Sequence, residues 1–503
     1  MKVNELLDGE ILRIYGLNGD EAVADVTANS RSIIKKSLFF AMKGLKFDGR
    51  SFLADAVKKG ALAGVVDRIK EDSVPQIEVK DVRKAFGIAV SRITDNPSMK
   101  MLVIGVTGTN GKTTITYLLG SILREAGINA GIMGTTGVIF SGKLFPAELT
   151  TPDAKILNHY LLKMLESNVK ASVMEVSSHA IDLERVWGIN FDAGIFTNLT
   201  HDHLDYHTTM ESYFRAKERF FTECLQFSRK GDRIAVINID DEFGRRINPA
   251  PGIRMRCYGR DPRAEVRILD AEISPGGSIV YVLIDGKREE FIVNLFGEHN
   301  VYNAAACVAL ASAIGIDTES IKSGISNVRS IPGRLEPIAN SLGIRILIDY
   351  AHTPDALKNA LNSVRRITAG RIITVFGCGG DRDKGKRPLM GGISGALSNY
   401  TIITSDNPRS EQPESIIYEI EQGLRGLLKA ESENALAAGK KAYLVIPDRS
   451  DAIRLAIRIA REGDSILIAG KGHEDYQIIG NKRLHFSDRE EVEVYLREIG
   501  GAP

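Results

Sequence analysis

Cysteine is scarce in this chain of 503 residues. Its four copies, Cys224, Cys257, Cys307 and Cys378, stand far apart, with no CxxC and no His-paired zinc spacing; a disulfide scaffold and a zinc ribbon are therefore excluded. No apolar run reaches the roughly 18 residues that a membrane span needs. The opening segment MKVNELLDGEILRIYG carries Asp8 and Glu10 where a signal peptide would be apolar, so a cytoplasmic protein without membrane insertion is expected. Excess charge is missing too. Lys and Arg number 65 against 64 Asp and Glu, a net charge of +1, which argues against the basic footprint of a nucleic-acid binder. There is no internal repeat and no low-complexity tract, which removes solenoids and disordered tails.

What is present is ordinary globular material, 43% hydrophobic and 26% charged, enough for about three domains at roughly 150 residues each. Short Val- and Ile-rich runs alternate with helix-length segments: Leu102–Val106, Ser172–Val176, Ile234–Ile239, Ile346–Ile348, Ile372–Phe376, Tyr443–Ile446 and Ile466–Ile468. Runs of that length bounded by Gly, Asp or Ser read as buried strands of parallel sheets. Segments such as Ile115–Ala126 and Ser212–Leu225 read as crossover helices. The fold class is α/β throughout. Turn-rich breaks at Asp95-Asn96-Pro97-Ser98 and Ile331-Pro332-Gly333-Arg334 divide the chain into expected domains 1–98, 99–333 and 334–503.

The strongest local signal is Val103-Ile104-Gly105-Val106-Thr107-Gly108-Thr109-Asn110-Gly111-Lys112-Thr113-Thr114. An apolar strand runs into a glycine turn and then a helix, the context a P-loop requires. Gly108 and Gly111 let backbone N–H groups close on phosphate oxygens, the helix start adds partial positive charge, Lys112 adds a full charge, and Thr113 offers a hydroxyl to Mg²⁺. Val106 replaces the first glycine of the strict pattern. Downstream, Met174-Glu175-Val176-Ser177-Ser178-His179 ends a buried strand on a carboxylate that suits Mg²⁺. The segment Thr197–His207 packs three of the nine histidines and two aspartates into seven residues. Its H-x-H-x-x-x-H spacing would also suit zinc, but a nucleotide site calls for oxygen-ligated Mg²⁺.

TGTNGKTT, EVSSH, TNLTHDHLDYH and YFRAK (Tyr213–Lys217), in that order, resemble the Mur ligases, which join amino acids to peptidoglycan precursors at the expense of ATP. GEHNVYNAAA (297–306), PGRLE (332–336), DYAHTPDAL (349–357), GCGGDRDKGKRPLM (377–390) and GKGHEDYQ (470–477) extend the likeness over almost the whole chain, including Asn29-Ser30-Arg31 and KFDGR (46–50). The likeness is to the MurE-type, tripeptide-forming members. It implies a nucleotide-sugar-binding N-terminal domain, a central P-loop ATPase-like domain and a Rossmann-like C-terminal domain. ATP would lie on Gly108–Thr114 (Gly108, Thr109, Asn110, Gly111, Lys112, Thr113, Thr114), with Asn300, Asn303 and Arg334. Mg²⁺ would be held by Thr113, Glu175, His203 and Lys217, the last as a CO₂-derived carbamate, since a plain ammonium would repel the metal. Lys112, Glu175, His203 and Lys217 would carry the catalysis.

The same resemblance assigns Ala28, Ser30, Leu45, Lys46 and Phe47 to the uridine diphosphate part of UDP-N-acetylmuramoyl-L-alanyl-D-glutamate. Thr150, Thr151, Ser177 and Arg185 fall to its muramoyl-dipeptide. Arg382, Asp406, Asn407, Pro408, Arg409, Gly470 and Glu474 would take the incoming amino acid. A guanidinium grips a carboxylate by two parallel hydrogen bonds, so Arg409 favours meso-diaminopimelate, which has a distal carboxylate, over L-lysine, which has none. Three departures stand out: Leu149 and Leu183 replace Asn and Gln of several members, and Thr208 replaces a common Gly. A monomer is expected. The rivals are lysine addition, a folate-type ligase, which would lack the N-terminal module and the DNPR segment, and a non-catalytic ATP-binding protein.

Overall fold

The computed structural model describes residues 1–44, 48–70, 74–274, 276–433 and 440–502. Three sheets follow one another along the chain. The first has five strands, ordered Ile11–Tyr15, Gln76–Val79, Ala63–Val66, Ser37–Phe40, Asp25–Thr27; only Ile11–Tyr15 is antiparallel to its neighbour. Helix Val82–Ile93 covers it, capped by Asp81, whose carboxylate accepts from the backbone N–H groups of Arg83 and Lys84.

The second sheet has eleven strands, with Leu102–Thr107 between Ala171–Glu175 and Ala193–Phe196, both parallel to it. These strands are buried almost end to end, which is why they read as continuous apolar runs rather than alternating ones. The sheet is mostly parallel, and its outer part is antiparallel. Val266–Ser274, Gly277–Ile284 and Lys287–Val293 form an antiparallel meander, and Gly137–Phe140 with Lys143–Phe145 form a hairpin at the opposite edge. The meander strands alternate buried and more exposed positions, as in a sheet covered on one face, and helices His299–Ala313 and Thr318–Ser326 pack on it.

The third sheet has seven strands, ordered Glu336–Ile338, Arg345–Asp349, Ser465–Ala469, Ile372–Phe376, Tyr400–Ile403, Ala442–Val445, Leu428–Lys429, parallel except for the first. A separate hairpin pairs Tyr476–Ile479 with Lys482–His485. The registers align the strand ends. Glu175 lies opposite Val106 and Phe196 opposite Thr107, so three strands of the central sheet end together. Asp349, Ala469 and Phe376 end together in the third sheet. Loops at such carboxyl ends are where open α/β sheets place ligands. Among the described residues, no helix is long and apolar enough to cross a membrane.

Candidate active site

The two sets of strand ends face one another across a cavity of about 430 Å³. Its central-domain wall is the glycine loop. Helix Lys112–Glu125 begins at Gly111 (φ +90°), and no side chain caps its first turn, so those N–H groups are left for a ligand. Gly108 has φ +146°, and a Cβ there would lie 1.8 Å from Thr197 Oγ1. A Cβ at Gly111 would meet Asn303 Oδ1 at 2.4 Å. Only glycine fits either position. The histidine-rich segment braces the loop from behind: Thr109 N donates to Asn198 O (2.8 Å), Asn110 N to Asn198 Oδ1 (3.0 Å), and Thr197 Oγ1 to Asn110 O (2.6 Å).

Lys112 donates to the carbonyls of Gly108 (2.9 Å) and Thr109 (2.8 Å), and burial lowers its pKa. Glu175, 1% exposed, accepts from Thr113 Oγ1 (2.9 Å), Thr135 N (2.9 Å) and Thr135 Oγ1 (3.1 Å). A hydroxyl and a carboxylate this close on a cavity wall form the oxygen donor set that a hard cation takes. Arg334, from the segment between the second and third sheets, donates to Thr113 Oγ1 (2.8 Å) and leaves its buried Nε without a partner. Such an orphaned donor beside a phosphate loop fits an anionic ligand. Asn303 donates to Asn300 Oδ1 (2.9 Å) beneath the loop.

Lys217 lies on helix Met210–Arg219, which runs on into a π-turn at Phe220–Cys224. It is 1% exposed and donates to Gly108 O (2.9 Å); burial, with Lys112 close by, drives its pKa well down. His203 sits at φ +56° and stands edge-on to the ring of His179 at 4.9 Å. Burial lowers it to about 3, against the pull of Asp202. For Asp202, burial raises the pKa, but His203, His352 and Lys386 outweigh it and bring it to about 2. The other two histidines of the H-x-H-x-x-x-H segment point elsewhere. His201 Nε2 lies 3.0 Å from Asp383 of the third domain, and His207 Nε2 lies 2.9 Å from Ser178 Oγ. The spacing therefore does not build a three-histidine zinc site. Among the described residues, no three His, Cys, Asp or Glu side chains are grouped to hold a metal.

Thr150, Thr151, Ser177 and Arg185 come together. Thr151 Oγ1 donates to Glu175 O (2.9 Å) and accepts from Ser177 N (3.0 Å), Arg185 donates to Thr151 O (3.3 Å), and Thr150 Oγ1 lies 3.3 Å from Thr135 Oγ1. Of the N-terminal candidates, Ala28 and Ser30 do not line the cavity. Ala28 is exposed just beyond strand Asp25–Thr27, and Ser30 accepts from Lys59 through its carbonyl (3.2 Å). Leu45, Lys46 and Phe47 lie outside the described residues. Lys155 ties this domain to the central one through both oxygens of Asp25 (2.8 Å each). Leu149 is 46% exposed and Leu183 is half-buried. Thr208 holds φ +63°, a left-handed conformation that a β-branched residue rarely adopts and a glycine adopts freely.

In the third domain, Asp406, Asn407, Pro408, Arg409, Gly470 and Glu474 converge from two loops. Asn407 Nδ2 donates to Glu474 Oε2 (2.9 Å), and a Cβ on Gly470 would lie 2.7 Å from Asp406 Oδ2. Half-buried Arg409 donates to Gly380 O (2.8 Å) at the pocket rim. Arg382 is exposed, with Asp381 O as acceptor (3.3 Å). Tyr350 lines the cavity and donates to Glu474 Oε1 (3.4 Å), which ties this cluster to the cavity wall. His473 Nε2 lies 2.9 Å from Thr135 O, a further bond across the seam between the central and third domains.

Several residues that surround these groups carry little or no sequence signal of their own. Thr135 follows strand Ala130–Gly134, whose own residues are all apolar. Asp349, raised by burial to about 6, accepts from Leu335 N (2.7 Å). Asp355 accepts from Asn110 Nδ2 across the seam (3.0 Å). Asp349 and Asp355 both stand in DYAHTPDAL, where the density of polar groups is the one signal that could have found them. Lys471 is buried completely among Asn407, Glu474 and Tyr476.

Three family models match the chain: the Mur ligase family catalytic domain over residues 23–94, the Mur ligase middle domain over 106–311, and the Mur ligase glutamate ligase domain over 333–472. The UDP-N-acetylmuramoyl-L-alanyl-D-glutamate--2,6-diaminopimelate ligase of Geobacter metallireducens is 44% identical over 478 residues, 94% of this chain and 93% of that protein. A solved structure of a ligase of the same name is 30% identical, covers 99% of both chains and superposes with a TM-score of 0.69. The MurF ligase of Thermotoga maritima, solved in complex with ADP, shares the fold at a TM-score of 0.57 and 18% identity, over 95% of this chain and 98% of its own.

Proposed function

The chain belongs to the Mur ligase family, and from that premise we propose that it ligates meso-2,6-diaminopimelate to UDP-N-acetylmuramoyl-L-alanyl-D-glutamate with ATP, as a peptidoglycan-precursor enzyme of the cytoplasm. The observation that carries the reading is the cavity between the central and third domains, lined by the phosphate loop, Glu175 and Ser177 on one side and by Arg334, Tyr350 and Asp355 on the other, with Tyr350 in contact with Glu474 behind it. A ligase of this kind must bring a phosphorylated carboxylate and an amine together, and one cavity between two domains serves that need.

In this reading the D-glutamyl carboxylate attacks the γ-phosphorus of ATP and releases ADP, giving an acyl phosphate. The amine of diaminopimelate then attacks the acyl carbon, and phosphate leaves. Lys112, the uncapped start of helix Lys112–Glu125 and Arg334 offset the negative charge that builds on the transferred phosphoryl group. Asn300 and Asn303 support the nucleotide side. Thr150, Thr151, Ser177 and Arg185 hold the muramoyl-dipeptide, and Ala28 and Ser30, with residues 45–47, the uridine diphosphate end. Thr113, Glu175, His203 and carbamylated Lys217 are the residues that would hold Mg²⁺, whose charge would screen the phosphates.

The surroundings of Lys217 suit the modification. Among the described residues its amine has no carboxylate within ion-pair distance, only the Gly108 carbonyl, and adding CO₂ with loss of a proton yields an anionic oxygen ligand. Domain limits of 1–98, 99–333 and 334–503 and a monomeric state complete the proposal. The test is phosphate release with UDP-N-acetylmuramoyl-L-alanyl-D-glutamate and ATP, run separately with diaminopimelate and L-lysine. Release with diaminopimelate alone is expected; equal release with lysine would overturn the assignment of the amino acid.

A further inference from the structure

Lys471 is the most deeply buried lysine of the third domain, at 0% exposure, and the proposed reaction makes no use of it. Enclosing an ammonium costs several kcal/mol unless its donors are met. Here all three can be: Nζ lies 2.5 Å from Tyr476 O, 3.4 Å from Glu474 Oε2 and 3.5 Å from Asn407 Oδ1. The Asn407 amide is held as well. Its Oδ1 accepts from Ile478 N (2.9 Å) and faces Lys471, which turns Nδ2 toward Glu474 Oε2 at 2.9 Å. One oxygen of Glu474 is thereby committed to the protein interior, while Oε1 accepts from the hydroxyl of Tyr350 (3.4 Å), a residue that lines the cavity.

We propose that Lys471 is a positioning residue of the amino-acid pocket: through Asn407 and Glu474 Oε2 it aims Glu474 Oε1 at the ammonium of the incoming diamino acid. The inference rests on the reading of the Arg409–Glu474 pocket as the amino-acid site. Its charge logic is simple. Burial and the nearby Asp406 both favour a neutral Glu474, and Lys471 works against them. A carboxylate kept ionised and aimed is the group that recognises an ammonium, whereas a protonated carboxyl loses most of that attraction. Lys471 does not touch the ligand, so its effect belongs in the affinity for the amino acid and not in phosphoryl transfer.

The experiment compares wild type, Lys471→Met, Glu474→Gln, the double variant and Lys471→Arg, with KM for diaminopimelate, KM for ATP and kcat measured for each. Glu474→Gln and Lys471→Met are each expected to raise the KM for diaminopimelate about 10-fold or more, the worth of one charge-assisted hydrogen bond, with the KM for ATP unchanged. Because Lys471 acts through Glu474, the double variant should be no worse than Glu474→Gln alone. That variant leaves no uncompensated buried charge, so it keeps the comparison readable even where Lys471→Met folds poorly. Lys471→Arg, which keeps the cation, should recover part of the affinity.

A wild-type KM for diaminopimelate in Lys471→Met, a further loss in the double variant, or an equal rise in the KM for ATP would overturn the proposal. A Glu474→Gln enzyme with normal affinity for diaminopimelate would instead remove the pocket reading itself, and the inference with it.

Discussion

The phosphate loop and the proposed amino-acid pocket are made of different material. The loop is mostly backbone: two left-handed glycines, an uncapped helix start, and Lys112 resting on the carbonyls of Gly108 and Thr109. The third domain around the pocket relies instead on paired side-chain charges, several of them buried. Arg387, fully buried, joins Glu411 (2.8 Å) and Glu419 (2.9 Å), Arg449 joins Asp488 (2.7 Å) with neither side chain exposed, and Lys471 joins Glu474 (3.4 Å). A loop that stabilises charge moving between phosphate oxygens needs donors pointing inward and little else. A pocket that must tell one amino acid from another needs its charges held in place beforehand.

The sharpest way to break this contrast is Lys112→Ala. Removing a central electrostatic donor is expected to slow phosphate release about 100- to 1000-fold, with any amino acid, while circular dichroism stays unchanged. Near-normal turnover by the folded variant would mean that the loop does not handle the transferred phosphoryl group. Arg409→Ala should act on one side only. Loss of a hydrogen bond to a charged ligand group is worth about 10- to 100-fold in kcat/KM for diaminopimelate, with the KM for ATP unmoved. A ratio of diaminopimelate to lysine use that matches wild type would show that Arg409 does not read the distal carboxylate.

The seam between the two sides has its own readout. Burial lowers His473 to about 4, whereas an unfolded histidine titrates near 6.5. Between those values the unfolded chain binds more protons. The contribution of neutral His473 is therefore complete above pH 6.5 and is lost as pH falls toward 4. His473→Gln can still donate to Thr135 O but does not titrate, so its unfolding free energy should fall less over that interval in urea titrations. Identical slopes would mean that the imidazole is solvated and the seam open. The smallest effect is expected at Thr208→Gly. Relieving a β-branched residue at φ +63° should stabilise the fold by about 1 kcal/mol; a lower melting temperature would indicate that the Thr208 hydroxyl, bonded to His207 O at 2.6 Å, outweighs the strain.

Legibility in the sequence followed how local each feature is. Strand Leu102–Thr107, its glycine turn and its helix could be read because twelve consecutive residues encode them. The antiparallel meander 266–293 has no such signature, because half-exposed alternating strands resemble polar connections when their covering helices are unknown. The H-x-H-x-x-x-H spacing admitted a zinc site in principle, and the structure turns its histidines toward Asp383, His179 and Ser178 instead. A helix of one turn, Leu204–His207, decides those directions, and spacing alone does not specify it.

By itself the sequence determined the α/β class, the phosphate loop, and a family resemblance long enough to name candidate residues on every domain. Those are properties of contiguous residues: apolar runs choose strands, and glycines choose backbone angles. Only the tertiary structure decided which candidates meet. It brought Arg334 to Thr113, His473 to Thr135 and Asp355 to Asn110 over separations of more than 200 residues, left Ala28 and Ser30 away from the cavity, and enclosed Lys471 behind Glu474. The reason is geometric. Parallel registers bring strand ends together only after the intervening helices have packed, and a buried charge acquires its partners from whichever loops that packing delivers.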